Sequence, residues 1–257
     1  MGFAAGNRDD QWHADEERNV LVWRRIERRA ALEGTAVMPR HVCGAAGEAL
    51  NGTGVLLYQG WGEAGVRPVA LSGPPAEELG EAQVTLGEGP ALSALRHRCP
   101  VPAADLMAPT GAARWPVFAS WAVSRDVAAV FAFPVMMGAV AVGCLEVHRA
   151  AAGPLTPQEW ADGLLLADSA MLVLLRGGPA GAARDPHTDA VEARWVRVQQ
   201  AIGVLSVQLD SDLATASARL RAHAYCTERR LTAVADDVVA HRLRLESDAG
   251  GDDFPWW

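Results

Sequence analysis

The sequence predicts an α+β unit, an antiparallel sheet flanked by helices, followed by an all-α unit of three helices. Three observations carry this. Two β-patterned stretches, 55–71 and 127–148, lie between amphipathic helical stretches. A Gly-, Pro- and Ala-rich run, GGPAGAARDPHT at 177–188, reads as a linker. Beyond it, apolar residues recur only at helical spacing.

Each element has its own signal. Residues 1–15 are polar and are expected to be disordered. In 16–33, Val20, Trp23, Ile26 and Ala30 form one helical stripe, and Gly34 is a stop. A second helix is expected at about 37–50, ended by Asn51-Gly52. Two short strands follow at 55–59 and 66–71, joined by a Gly-rich turn. Pro74-Pro75 opens a helix to about 84. TLGEGP at 85–90 reads as a turn, 91–97 as a short helix and 101–106 as an edge strand. WPVFASWAVS at 115–124 is a short apolar element. The strongest strands are 127–136 and 140–148, with Met137-Gly138 as the hairpin turn. Thr156 caps a long apolar helix through 175, with Pro157 in its first turn.

After the linker, Val191, Trp195, Val198, Ile202, Leu205 and Leu209 are spaced by four and three in alternation. This seam suits either a second chain or a neighbouring helix of the same chain. Asp210-Ser211-Asp212 interrupts it, and Asp212 is an N-cap for a helix carrying Leu213, Ala216, Leu220 and Ala224 on one face. A turn at 228–230 leads to a third stripe, Leu231, Val234, Ala235, Val238 and Val239. The expected organisation is a disordered 1–15, a sheet unit 16–176, a linker 177–188, a helical unit 189–246 and an acidic aromatic tail 247–257.

Composition narrows the function. The chain has 257 residues, half of them hydrophobic, and a net charge of -8. That excludes a general polyanion binder. All 23 basic residues are arginine, and segment 189–246 carries eight of them against eight acidic residues. Nucleic-acid contact therefore needs a local patch, and this neutral segment is its place. No apolar run reaches the roughly 18 residues of a membrane span, and no signal peptide opens the chain, so a cytoplasmic, membrane-free protein is expected. Cys43, Cys99, Cys144 and Cys226 form no CxxC pair and are expected to be buried small hydrophobes.

No phosphate-binding loop, dinucleotide fingerprint, HExxH or GxSxG occurs, so no catalytic residue, metal ligand or cofactor is assigned and no enzyme is expected. Glu146 and His148 share a strand face; an acid–base pair and a satisfied surface pair are the two readings. Arg197, Arg219, Arg221, Arg229 and Arg230 suit phosphate through the bidentate guanidinium and can stack on unpaired bases. The alternative is a solvated surface balanced by Glu228, Asp236 and Asp237.

The stretch 199–245 resembles the ANTAR domain, an RNA-binding module of transcription antitermination regulators. The resemblance rests on Gln200-Ala201-x-Gly203, on Ala216 with Leu220-Arg221 and Ala224, and on Leu231 with Val234-Ala235 and Val238-Val239. Ile202 departs where the family often has Lys or Thr, Asp210 where Gly is common, and Ser217 replaces a larger residue. Residues 16–176 resemble a GAF domain of the kind found upstream of ANTAR in actinobacterial regulators. The words are TLGEGP (85–90), RWPVF (114–118), AVFAFP (129–134), GCLEVHR (143–149) and GPLT (153–156).

These resemblances imply a six-stranded sensor domain and a three-helix output. RNA contact is implied for Arg197, Gln200, Arg219, Arg221, Arg229 and Arg230, with Ala201, Gly203 and Ala224 allowing close approach. A small-molecule ligand is implied among Trp115, Phe118, Trp121, Arg125, Phe131 and Phe133, with Arg114, Ser120 and Glu146 as further polar anchors. The alternative is that the aromatics fill the core. RNA hairpins in a nascent transcript and a homodimer through 191–209 are the implied partners. A ligand-binding or protein-interaction module without RNA binding is the competing function.

Overall fold

The computed structural model describes residues 6–61, 65–176 and 186–245, with side chains from 16–60, 66–176 and 189–245. A five-stranded antiparallel sheet lies between two helical layers, and three further helices pack against its edge. Helices α1 (Gly6–Leu32) and α2 (Pro39–Ala49) precede strands β1 (Gly54–Trp61) and β2 (Gly65–Ser72). Helices α3 (Ala76–Leu86) and α4 (Pro90–His97), strand β3 (Val101–Ala103), and helices α5 (Pro109–Arg114) and α6 (Pro116–Val123) follow. Strands β4 (Ala129–Met137) and β5 (Val140–Arg149) lead into helix α7 (Pro157–Arg176). Helices α8 (Pro186–Gln208), α9 (Leu213–Cys226) and α10 (Leu231–Val239) complete the order.

The strand order is β2-β1-β5-β4-β3, every pair antiparallel. The two strongest β-patterned runs form the central hairpin, because residues buried on both faces favour the middle of a sheet. Among the described residues there are five strands where the resemblance implied six. Strand alternation then sorts the core. Val55, Leu57, Phe131, Phe133, Val135, Leu145 and Val147 face α1, α2 and α7. Leu56, Tyr58, Val130, Ala132 and Cys144 face α3 to α6.

Charge and capping fix the outer layer. Arg18 and Arg25 of α1 both hold Asp162 of α7, at 3.3 and 3.0 Å. Thr156 and Glu159 form a capping box at α7: the Thr156 hydroxyl accepts from Glu159 N at 3.2 Å, and Glu159 accepts from Thr156 N at 2.7 Å. Asp212 caps α9 by accepting from Thr215 N at 2.6 Å. Both caps match the sequence reading.

Several expectations change. Helix α1 begins at Gly6, so 6–15 is helical backbone rather than disordered. The 115–124 element is the end of a two-helix corner, α5 and α6. Helix α3 runs through Thr85 and Leu86, so the turn is shorter than 85–90. Cys99 and Cys226 are exposed, although Cys43 and Cys144 are buried as expected. Helix α8 begins at Pro186, inside the expected linker 177–188, and residues 177–185 of that linker, like residues 1–5, Glu246 and the tail 247–257, lie outside the described residues. Among the described residues, no helix is long and apolar enough to cross a membrane.

Candidate functional site

The aromatic residues expected to line one pocket do not come together. Trp115 and Phe118 pack under α3 and α4, while Phe131 and Phe133 point to the opposite side of the sheet. The cause is the two-residue period of β4: Val130 and Ala132 take the α3–α6 side, so Phe131 and Phe133 take the other. Trp115 is buried and donates its indole N–H to Ser93 Oγ at 3.0 Å. Trp121 is half-buried under the Arg125 guanidinium, 3.6 Å from its ring centroid, and Arg125 also pairs with Glu78 at 3.1 Å. Arg114, Ser120 and Arg125 are exposed and anchor nothing inside.

Glu146 is the one expected anchor that lies inside the sheet unit. It and His148 project from β5 toward α3 and are fully buried, so they are no surface pair. His148 Nε2 lies 2.6 Å from Glu146 Oε1. Gln83 of α3 donates to both Glu146 oxygens, at 2.7 and 2.9 Å, and to the Tyr58 hydroxyl at 3.1 Å. Ala91 N, in the first turn of α4, donates to Gln83 Oε1 at 3.0 Å and to Glu146 Oε2 at 3.1 Å. Burial, reinforced by the Glu146 charge, pushes the Tyr58 hydroxyl pKa well up. The GEGP turn makes this possible. Gly87 and Gly89 take φ of 72° and 144°, and a Cβ on Gly89 would lie 2.1 Å from Gln83 Oε1. Between them, Glu88 caps α6 by accepting from Val117 N and Phe118 N at 2.8 and 2.7 Å.

The helical unit forms as the spacing predicts. Val191, Trp195, Val198, Ile202 and Leu205 are buried with Ala216, Leu220, Ala224, Leu231, Val234, Ala235 and Val238. Of the two readings of the seam, a second chain or the same chain, the structure has the same chain cover it, because α9 and α10 fold back over it and β2 lies beside it; the homodimer surface implied at 191–209 is thus occupied.

The arginines split into two groups. Arg197 reaches toward Asp236 at 3.6 Å, and Arg229 pairs with Asp237, which also takes Arg242 at 2.7 Å. Gln200 is exposed one turn after Arg197. Ala201 and Ala224 are buried in the unit's core, Gly203 is half-buried, and Arg219 is half-buried on α9.

Arg221 and Arg230 instead face the sheet unit. Arg230 pairs with Glu81 at 2.6 Å and with Glu77 at 2.9 Å. Glu81 also accepts from Thr232 N at 2.8 Å and the Thr232 hydroxyl at 2.9 Å, so a carboxylate of α3 caps α10. Arg194 adds a bond to Glu77 at 3.0 Å, and Arg67 of β2 meets Glu192 at 3.4 Å. Leu71 and Val84 complete the apolar part of this seam. Sequence reasoning missed Glu77, Glu81 and Val84. Glu77 has one local signal, the acidic first turn it shares with Glu78 on α3.

Two clefts open along the seam. One of about 230 Å³ is lined by Val66, Val84, Leu92, Trp195, Ile202 and Arg221, among others. The other, of about 420 Å³, is lined by Arg29, Arg40 and Arg194 against Glu33 and Glu77, and Arg29 pairs with Glu48 outside the lining at 3.2 Å. There Arg40 and His41 meet Glu33 at 2.6 and 3.1 Å, and Arg194 meets Glu77. Hydrogen bonds from Arg40, then His41, hold the Glu33 carboxyl below its ordinary pKa.

No protein-family model and no curated protein matches the chain. Similar solved structures include GAF domains, at low identity. The GAF domain of an Acinetobacter phosphoenolpyruvate-protein phosphotransferase is 12% identical, covers 63% of this chain and 94% of that chain, and gives a TM-score of 0.47. The corresponding domain from Coxiella burnetii is 16% identical, covers 62% and 94%, and gives 0.46. A GAF domain/HD domain protein from Geobacter sulfurreducens is 19% identical, covers 52% and 88%, and gives 0.40.

Proposed function

We propose that the chain is a non-enzymatic, cytoplasmic transcription antitermination regulator, in which a GAF-like sheet unit controls an ANTAR-like unit that binds RNA hairpins. The observation that carries this reading is the helical unit itself. The apolar positions of the ANTAR-like pattern, from Ala201 to Val238, close a three-helix core and leave Arg197, Gln200 and Arg229 exposed on it. Guanidinium groups held beside carboxylates exchange those partners for phosphate when a polyanion arrives. Arg221 and Arg230 are held by the sheet unit in this arrangement and join the RNA surface when the units part. The sheet unit is thus both sensor and mask. A homodimer would form through a surface other than the α8 seam.

The test is a gel-shift titration of the full chain against an RNA of two short hairpins, with Arg197→Ala and Arg229→Ala beside it. Each substitution is expected to weaken binding and lower the salt dependence by about one unit of slope. Unchanged affinity in both would remove these residues from the interface.

One observation favours a second reading, a ligand-binding or protein-interaction module without RNA binding. Asp236, Asp237, Glu77 and Glu81 neutralise Arg197, Arg229 and Arg230, so these arginines do not form one continuous basic face. In that case hairpin and scrambled RNA bind equally poorly, and the helical unit's surface serves a protein partner.

A further inference from the structure

We propose that the 230 Å³ cleft between the two units binds a small monocarboxylate with an apolar body, held by Arg221. Helices α8 and α9, Leu231 of α10 and a wall of the sheet unit build it. Trp195, Val198, Gln199 and Ile202 lie on one face of α8, at i, i+3, i+4 and i+7. Ala214, Ser217 and Arg221 lie on one face of α9, and Val66, Val84 and Leu92 form the wall from the sheet unit. The walls are apolar with few polar groups, the usual composition of a ligand site.

Arg221 supplies the charge. Other arginines of the helical unit, Arg194, Arg197, Arg229, Arg230 and Arg242, lie against carboxylates. Among the described residues Arg221 has no such partner. Its one hydrogen bond is a long one, 3.4 Å to the Val84 carbonyl, and its Nε is sealed from solvent with nothing to donate to. Burial pulls its pKa below the ordinary value, yet a guanidinium stays protonated. A half-buried cation whose Nε lacks an acceptor gains from an anion that meets it.

The ligand's size and charge follow. A cleft of about 230 Å³ lies below the roughly 300–1,000 Å³ of pockets that hold drug-sized ligands, so the ligand is smaller than those. One guanidinium and no second cation among the lining residues favours a monoanion over a phosphate dianion. The site stands independently of RNA binding, because it needs only the docked arrangement of the two units.

The experiment is calorimetric and ligand-observed NMR titration of the full chain with hexanoate, hexanamide and inorganic phosphate. Hexanoate is expected to saturate, with hexanamide and phosphate at least about tenfold weaker. Arg221→Gln is expected to lose at least about tenfold in hexanoate affinity. Ser217→Leu, which fills the cleft and leaves Arg221 intact, is expected to abolish binding while circular dichroism and melting stay cooperative. The proposal is overturned by no saturable hexanoate binding, by equal binding of the amide, by phosphate binding as well as hexanoate, or by binding that survives both substitutions.

Discussion

At the scale of single residues, neighbours decide what each arginine can do. Asp237 meets Arg229 and Arg242, and their hydrogen bonds, Arg229 first, hold its carboxyl below the ordinary aspartate pKa. A carboxyl whose folded pKa is depressed stabilises the fold above its unfolded pKa, and that contribution is lost as pH falls through the folded value. The turn into α10 is therefore expected to loosen on acidification below the ordinary aspartate range. NMR titration of Asp237 should show its pKa rising in Arg229→Ala; an unmoved value would mean that the pair is absent in solution. Residue-level legibility followed chain distance. The caps Thr156 and Asp212 were readable because both partners lie within three residues. The face of Phe131 and Phe133 was not, because assigning it requires knowing which side of β4 meets which helices. The burial of Glu146 and His148 was likewise hidden, since Gln83 reaches Glu146 from 63 residues away.

At the scale of elements, the hairpin of β4 and β5, the long helix α7 and the three C-terminal helices were all legible from periodicity. The role of the α8 seam was not. A four–three repeat needs a partner, but local sequence does not say whether it comes from the same chain. Here α9, α10 and β2 supply it, after short turns that return the chain to the same face. Helix α10 shows the same limit. It starts without a side-chain cap of its own, and Glu81 of α3 takes Thr232 N instead. Glu81→Ala leaves that buried N–H without an acceptor and frees Arg230 from its closest partner. The expected cost is about 1–3 kcal/mol, read as a lower denaturant midpoint. Hydrogen exchange should rise first at the start of α10. A midpoint within experimental error of the parent chain would show that the cap carries no stability.

At the scale of the whole molecule, the sheet unit and the helical unit meet through opposite charges laid over an apolar strip. Glu77 and Glu81 of α3 face Arg194 and Arg230, while Leu71 and Val84 pack on the helical core. The net charge of -8 gave no hint of this arrangement, because complementarity lies in where charges sit rather than in their sum. If the helical unit binds RNA, the docked sheet unit masks part of its surface. The most direct test is an equilibrium titration of the full chain and of its Glu77→Ala/Glu81→Ala variant against paired-hairpin and scrambled RNA, at about 50 and about 200 mM salt. Selective, salt-sensitive binding by the parent chain and several-fold tighter binding by the variant are expected. Equal, weak binding of both RNAs by both chains at both salt concentrations would contradict the proposed RNA binding.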